Sequence, residues 1–253
     1  MTVSAGRASI EVAISQRPLT TVLFDVDGVL VDAPHERAWR DALEGFAEPQ
    51  RLTTQIYQAR IAGKPRLMGA RAALEQLGVP DAGAQAVLYA EQKQRRFVEL
   101  VIAGQFAAFP DGLRFIQAVR ALGFRIAAVS SSKNANGMMA RIHVESGGTL
   151  LDLFDANLCG REVARGKPDP TLFLLAAAEL GVAPRGCLVV EDAPAGIEAA
   201  KAGGMKAVGV ARLGDAALLQ AAHADLVVTS LDQVAVDALA IGTLSARRSE
   251  GAM

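Results

Sequence analysis

From Pro110 onward, short apolar runs alternate with helical segments, and this alternation limits the fold more than any other feature of the sequence. Strands are predicted at Phe124–Ser130, Phe154–Cys159, Cys187–Glu191, Lys206–Val210 and Asp225–Thr229. Helices are predicted between them, near 111–122, 133–145, 170–180, 194–203 and 215–222, and Asp169-Pro170 and Ala193-Pro194 place proline at the first helical position. Repeated βα units give an α/β fold with a doubly wound, Rossmann-like parallel sheet and right-handed crossovers. Ligands of such sheets bind at the carboxyl ends of the strands. Thr20–Asp25 is a further apolar run, closed by Gly28, and reads as a buried strand of the same sheet. Ser9–Ile14 alternates Ile10, Val12 and Ile14, the pattern of an edge strand.

The stretch from Pro34 to about Ala108 breaks the alternation. It contains no convincing strand; apolar residues recur at helical spacing through Ala38, Trp39, Ala42, Leu43 and Phe46, then Leu52, Ile56 and Ala59, then Leu67 to Leu77. A longer helix follows from about Ala84 to Ile102, and breaks fall at Pro49, Gly63–Pro65 and Gly78–Pro80. The expected organisation is an α/β core formed by 19–33 and 109–240, a helical insertion at 34–108, an N-terminal extension at 1–18 and a flexible tail at 241–253.

Composition excludes several function classes. With 51% hydrophobic and 21% charged residues in 253, the chain has the material for a sizeable core. Its longest charge-free run, Leu100–Pro110, has 11 residues, whereas a membrane-spanning helix needs about 20. Lys plus Arg is 26 against 27 for Asp plus Glu, so no basic excess points to nucleic acid or anionic lipid. Two cysteines suit a reducing compartment. Residues 1–18 carry Arg7, Glu11 and Arg17 without an apolar stretch, so no secretory signal is read there. The expectation is a cytoplasmic protein, monomeric or weakly oligomeric, with neither nucleic acid nor membrane as partner.

Four polar clusters stand where predicted strands end or helices begin: Asp25-Val26-Asp27-Gly28, Ser130-Ser131-Ser132-Lys133-Asn134, Lys167 in Gly166-Lys167-Pro168, and Glu191-Asp192. A single carboxylate cluster is usually a cap or a turn. Several at the ends of successive strands supply carboxylates for Mg²⁺, a hydroxyl and a lysine for phosphate oxygens, and a spare carboxylate.

Taken in order, the four clusters resemble the four motifs of the haloacid dehalogenase superfamily, over about residues 19–235. The resemblance implies that Asp25 is a nucleophile that becomes an aspartyl phosphate, and that Asp27 is the general acid/base and offers its backbone carbonyl to the metal. It implies that Ser130 holds the transferring phosphoryl group, Lys167 offsets negative charge, Asp192 is a Mg²⁺ ligand and Glu191 a ligand or a partner of one. The superfamily's true dehalogenases attack carbon without a metal; Asp27 paired with Glu191-Asp192 favours Mg²⁺ and a phosphorus electrophile. The helical insertion is similar to the cap of the β-phosphoglucomutase-like branch, as are His35-Glu36-Arg37-Ala38-Trp39, Ser130–Asn134 and, more weakly, Gly209-Val210-Ala211-Arg212. The branch thus implies a substrate-binding set of Gly28, His35, Lys64, Arg66, Lys93, Ser131, Ser132, Lys133 and Asn134. Ala33-Pro34 departs from the mutases, which carry there a threonine that positions the acid/base aspartate, and Gly63-Lys64-Pro65-Arg66 is closer to mutase-like hydrolases and sugar-bisphosphate phosphatases.

Simpler readings stand beside these. A lone histidine such as His35 often faces solvent at a helix start, and Lys64 and Arg66 flank a proline where exposed charge is ordinary. Lys93 lies in Gln92-Lys93-Gln94-Arg95-Arg96, a run that usually marks a solvated helix face. Trp39 reads as core of the insertion and Cys187 as an inert residue of a strand. Gly160 to Lys167 is no phosphate-binding P-loop, because its glycines are one residue too far apart and Pro168 replaces the Ser/Thr. The expected function is Mg²⁺-dependent phosphoryl transfer on a sugar phosphate, β-phosphoglucomutase-like, with a sugar-phosphate or sugar-bisphosphate phosphatase as alternative and a non-catalytic sugar-phosphate-binding protein as a remote third.

Overall fold

Alternate residues of the central strands bury in two different apolar clusters. Val22 and Phe24 belong to one, Leu23 to the other; Leu188 and Val190 join the first, Val189 the second. A strand buried on both faces needs helices on both sides, which is why these segments read as unbroken apolar runs. In the computed structural model, which describes residues 19–247, six parallel strands form this sheet in the order β5-β4-β1-β6-β7-β8. They are β1 (Thr21–Phe24), β4 (Arg125–Ala128), β5 (Ala156–Asn157), β6 (Cys187–Glu191), β7 (Lys206–Val210) and β8 (Leu226–Val228). Register pairs Phe24 with Ala128 on one side and Val190 on the other, so the ends of β4, β1 and β6 lie level. The helices packed on the sheet are α5 (Pro110–Ala121), α6 (Ala135–Met139), α7 (Thr171–Glu179), α8 (Pro194–Ala202), α9 (Ala216–Ala221) and α10 (Val236–Ala240).

Four helices, α1 (His35–Asp41), α2 (Thr54–Arg60), α3 (Arg66–Gln76) and α4 (Ala82–Ile102), are inserted in sequence between β1 and β4 and form a separate helical layer. This layer has its own apolar cluster, in which Trp39, Leu43, Leu52, Leu74 and Tyr89 are buried. The Tyr89 hydroxyl donates to the Trp39 carbonyl at 2.7 Å, so the buried phenol is satisfied. Thr53 caps α2, its Oγ1 accepting from Ile56 N. Trp39 is 4% exposed and Cys187 fully buried, as expected for core residues.

The structure corrects several sequence expectations. A short strand does occur near the end of the insertion: β3 (Ala107–Ala108) pairs antiparallel with β2 (Val31–Asp32), forming a two-stranded neck. The helix expected over 133–145 spans only Ala135–Met139, because the chain then turns back through Gly147 and Gly148 at φ 87° and 78° and bridges His143 to Thr149. The strand expected over Phe154–Cys159 reduces to Ala156–Asn157 at the sheet edge. Pro170 is the residue before α7 rather than its first, because the Asp169 carboxylate caps the helix through Thr171 N at 3.0 Å. Residues 245–247, expected in a loose tail, are paired: Ala246 bridges Val234, and Arg247 N donates to Gln233 O. The Ser9–Ile14 strand, the extension at 1–18 and residues 248–253 lie outside the described residues.

Candidate active site

Three neighbouring strands end in polar residues at the same edge of the sheet. Asp25 follows β1, Ser130 lies two residues beyond β4, and Glu191 and Asp192 end and follow β6. Lys167 enters from the loop before α7, fully buried, and its ammonium donates to Asp25 Oδ1 at 2.5 Å and to Glu191 Oε1. Burial alone would lower the Lys167 pKa, but the Asp25 and Glu191 carboxylates outweigh it and hold the ammonium well above its usual range. The Asp25 carboxyl is 5% exposed. Burial, and the charges of Glu191 and Asp27, push it up to about 8 against the pull of Lys167.

Asp27 stands at the turn after β1, where Gly28 N donates to Val31 O at 2.8 Å. Gly28 adopts φ +85°, a left-handed conformation that suits glycine. The Ser130 hydroxyl donates to Asp27 Oδ2 at 3.1 Å, and His35 Nε2 lies 3.3 Å from Asp27 Oδ1. Burial raises the Asp27 pKa, but the attraction of His35 and the hydrogen bond from Ser130 overcome it and hold the group below the usual carboxylate range. Lys93 Nζ lies 2.7 Å from His35 Nδ1. An ammonium only donates, so Nδ1 accepts and the ring proton is on Nε2, facing Asp27. The His35 ring stacks on Phe97 with centroids 4.2 Å apart.

One ligand oxygen each from Asp25, Glu191 and Asp192 lie within 4.8 Å of one another. Glu191 is already engaged by Lys167 and by the Asp192 and Ala193 backbone N–H groups at 3.1 Å. Asp25 and Asp192 are therefore the carboxylates open to a hard divalent cation, and such all-oxygen donors fit Mg²⁺. Burial, then Glu191 and Asp25, raise the Asp192 pKa well above the carboxylate range, the mark of a carboxylate crowd that a cation would relieve.

Above these groups the helical layer closes a cavity of about 200 Å³, bordered by Asp25, Asp27 and Asp192 below and by Tyr57, Arg66 and Lys93 above. The structure brings Gly28, His35, Lys64, Arg66, Lys93 and Ser130–Asn134 to this cavity, but their side chains are used differently. Lys93 is not on a solvated face: it is 3% exposed, lies over the Phe97 and Trp39 rings, and burial followed by the charge of Arg66 pulls its pKa down to about 7. Lys64 turns back to the Arg60 carbonyl at 2.7 Å. The Lys133 ammonium pairs with the exposed Glu162 carboxylate at 2.5 Å. Asn134 bonds Gln94 of α4 in both directions, at 3.0 and 3.3 Å, and the Ser131 hydroxyl donates to Gly63 O at 3.3 Å, so both join the core to the helical layer. Ser132 Oγ accepts from Asn134 N at 3.2 Å and shapes the same loop.

Some residues at the site were not singled out from sequence. Tyr57 and Gln58 border the cavity from α2, where no motif surrounds them. Arg212 closes the weaker Gly209–Arg212 similarity. Its Nε donates to Gly28 O at 2.9 Å, one Nη to Val29 O at 3.0 Å, and both Nη groups to Asp111 at 3.1 Å, while its guanidinium stacks 3.7 Å from the centre of the Phe109 ring. The sequence signal for Arg212 is its place two residues past the end of β7, at the ligand edge of the sheet.

The chain is similar to known proteins. Residues 19–204 match the haloacid dehalogenase-like hydrolase family. The β-phosphoglucomutase of Mycobacterium tuberculosis is 33% identical over 242 residues, covering 84% of this chain and 90% of that protein. Hexitol phosphatase A of Escherichia coli is 32% identical over 217 residues, covering 85% and 92%. The crystal structure of an archaeal β-phosphoglucomutase from Pyrococcus sp. strain ST 04 superposes with a TM-score of 0.68 at 31% identity, covering 87% of this chain and 96% of that one.

Proposed function

Because the chain belongs to the haloacid dehalogenase-like hydrolase family, we propose that it transfers the phosphoryl group of a sugar phosphate through an aspartyl phosphate on Asp25, in a β-phosphoglucomutase-like reaction. The observation that carries this reading is the convergence of Asp25, Asp27, Ser130, Lys167 and Asp192 at the ends of three adjacent strands, under a helical layer that brings Arg66 and Lys93 to the opposite wall. In this reading residues 34–108 act as a cap over a core of 19–33 and 109–240.

Asp27, held as a carboxylate by His35 and Ser130, takes the proton of the hydroxyl that attacks the phosphorus carried on Asp25, as the bond from Asp25 to phosphorus breaks. An Asp25 oxygen then attacks the phosphorus of the next ester as its bond to the sugar oxygen breaks, and Asp27 returns that proton to the leaving oxygen. His35 and Ser130 hold Asp27 in place from two sides, the role for which Ala33-Pro34 offers no side chain. Lys167 offsets charge on Asp25 and the phosphoryl oxygens, and Glu191 keeps Lys167 aligned. Asp25, Asp192 and the Asp27 carbonyl would hold Mg²⁺, whose charge would offset that of the phosphoryl oxygens. Arg66 faces the cavity from the cap and is the group suited to a second, non-reacting phosphate.

If the attacker is a hydroxyl of a bound sugar phosphate, the enzyme is a mutase; if it is water, a phosphatase. The 32% identity to hexitol phosphatase A supports the second reading beside the first. We place the enzyme in the cytoplasm, acting without nucleic acid or membrane; no helix among the described residues is long and apolar enough to cross a membrane. Incubation with β-glucose 1-phosphate, Mg²⁺ and a trace of the 1,6-bisphosphate tests the proposal. Glucose 6-phosphate is the expected product, inorganic phosphate alone would replace the mutase by the phosphatase, and turnover unchanged in Asp25→Asn would remove both.

A further inference from the structure

Gln58 has no place in the phosphoryl-transfer machinery, yet it is one of few polar side chains sealed inside the molecule. It lies on α2, is 3% exposed and borders the cavity above Asp25, Asp27 and Asp192. Its side-chain oxygen is buried without a hydrogen-bond partner among the described residues. A buried amide oxygen left unpaired is costly, and it is retained at a site where a ligand supplies the missing donor. The next residue along the helix wall, Tyr57, also borders the cavity, and its phenol feels the charges of Asp192, Asp27, Glu36 and Asp25 after the effect of burial.

We propose that Gln58 is a specificity-determining residue whose side-chain oxygen accepts a hydrogen bond from a substrate hydroxyl. The inference rests on the phosphoryl-transfer reading and narrows its substrate class. An acceptor at this place selects a polyhydroxy phosphate, a sugar or polyol phosphate that presents an O–H to the cap wall. It disfavours a short phosphate ester that presents a carboxylate there, because two acceptors would face each other with no proton between them. The chemistry of the phosphoryl group stays with Asp25 and Asp27; Gln58 acts on the distal part of the ligand, where binding energy orients the substrate.

The test compares the full-length protein with Gln58→Met, which keeps the side-chain length and removes the acceptor. Both are assayed with Mg²⁺ on a panel of hexose and hexitol phosphates, on phosphoglycolate and on p-nitrophenyl phosphate, which has no hydroxyl to donate. The expected result is a KM for the preferred polyhydroxy phosphate about 10-fold higher in Gln58→Met, the loss of one neutral hydrogen bond. Its kcat changes less than threefold, and kcat/KM for p-nitrophenyl phosphate is unchanged. Thermal unfolding separates this from a structural role: the variant melts at the same or a higher temperature, since an unpaired acceptor has been removed. Equal losses on all substrates, or a lowered melting temperature, would overturn the assignment. So would a wild-type enzyme that prefers phosphoglycolate to every polyhydroxy phosphate, with the phosphoryl-transfer reading left standing. No Asp25-dependent turnover of any ester would instead remove that reading and this inference with it.

Discussion

A methyl group placed on Gly28 would lie 2.0 Å from Asp192 Oδ2. The turn that follows Asp27 and the Asp192 carboxylate therefore share one space, so each fixes the position of the other. No side chain fits between them without moving one.

Gly28→Ala is expected to weaken cation binding before it weakens the fold. The φ of +85° adds strain of about 1–2 kcal/mol for an L-residue, and the new methyl displaces Asp192. The Mg²⁺ concentration giving half-maximal turnover should rise by at least about tenfold, the effect of ~1.4 kcal/mol at one site. A magnesium titration of the variant with an unchanged midpoint would contradict the role assigned to Asp192.

Lys93 trades stability for function. Its pKa falls from 10.5 to about 7 in the folded protein, so the buried ammonium costs stability in full below about pH 7, and the cost is relieved as pH rises toward 10.5. Lys93→Met should therefore raise the melting temperature at pH 6 by about 2 °C or more, with the gain fading toward pH 10. Turnover of a sugar phosphate should fall more than about tenfold, because His35 loses the donor that fixes its ring proton toward Asp27. Melting curves at the two pH values, beside one activity assay, check both halves.

Asp111 works in the opposite sense. Burial raises its pKa, but Arg212, Leu231 N and the Ser230 hydroxyl together bring it below the ordinary 3.8. A depressed carboxylate pKa adds stability above the unfolded value, and that stability disappears as pH falls through the folded one. Asp111→Asn should cost about 3 kcal/mol in urea unfolding at pH 7, as for a broken buried pair. The difference from the parent should shrink below about pH 4. A constant difference from pH 7 to pH 3 would show that the ion pair is not its source.

Gly166 meets the helical layer directly: a methyl there would lie 2.3 Å from Pro65 Cγ. Gly166→Ala should hold the layer off the core and lower kcat/KM by more than about tenfold. Pro65→Ala removes the opposing ring, so the double variant should recover most of the loss. Failure of that rescue in the double-mutant cycle would place the defect in Lys167 instead.

Much of the catalytic edge was legible because strands buried on both faces leave continuous apolar runs. Cys187–Glu191 and Lys206–Val210 match the predicted strands residue for residue, and the polar groups that end such runs had to meet at the carboxyl edge. The neck was not legible, since Ala107–Ala108 has neither β-branching nor alternation and pairs only because Val31–Asp32 lies opposite. The burial of Lys93 was legible only through the family resemblance, not through its local sequence. Its immediate neighbours in sequence are polar, but its side chain lies over Phe97, one helical turn on, and Trp39, which is far away in the chain. Gln58 is invisible for want of a motif: an unpaired buried oxygen is a property of the cavity around it.

Arg212 joins its farthest partner, Gly28, across 184 residues of sequence. A chain emerging from the ribosome begins at its N-terminus, so Asp25, the neck and all four helices of the insertion are made long before their fastener. Until residue 212 is out, the Gly28–Val29 carbonyls and Phe109 have no guanidinium to hold them. The order of synthesis thus makes the turn after Asp25 among the last parts of the molecule to lock, and a nascent chain stopped short of β8 would carry Asp25, Asp27 and Asp192 without the anchor Asp111 needs from Ser230 and Leu231.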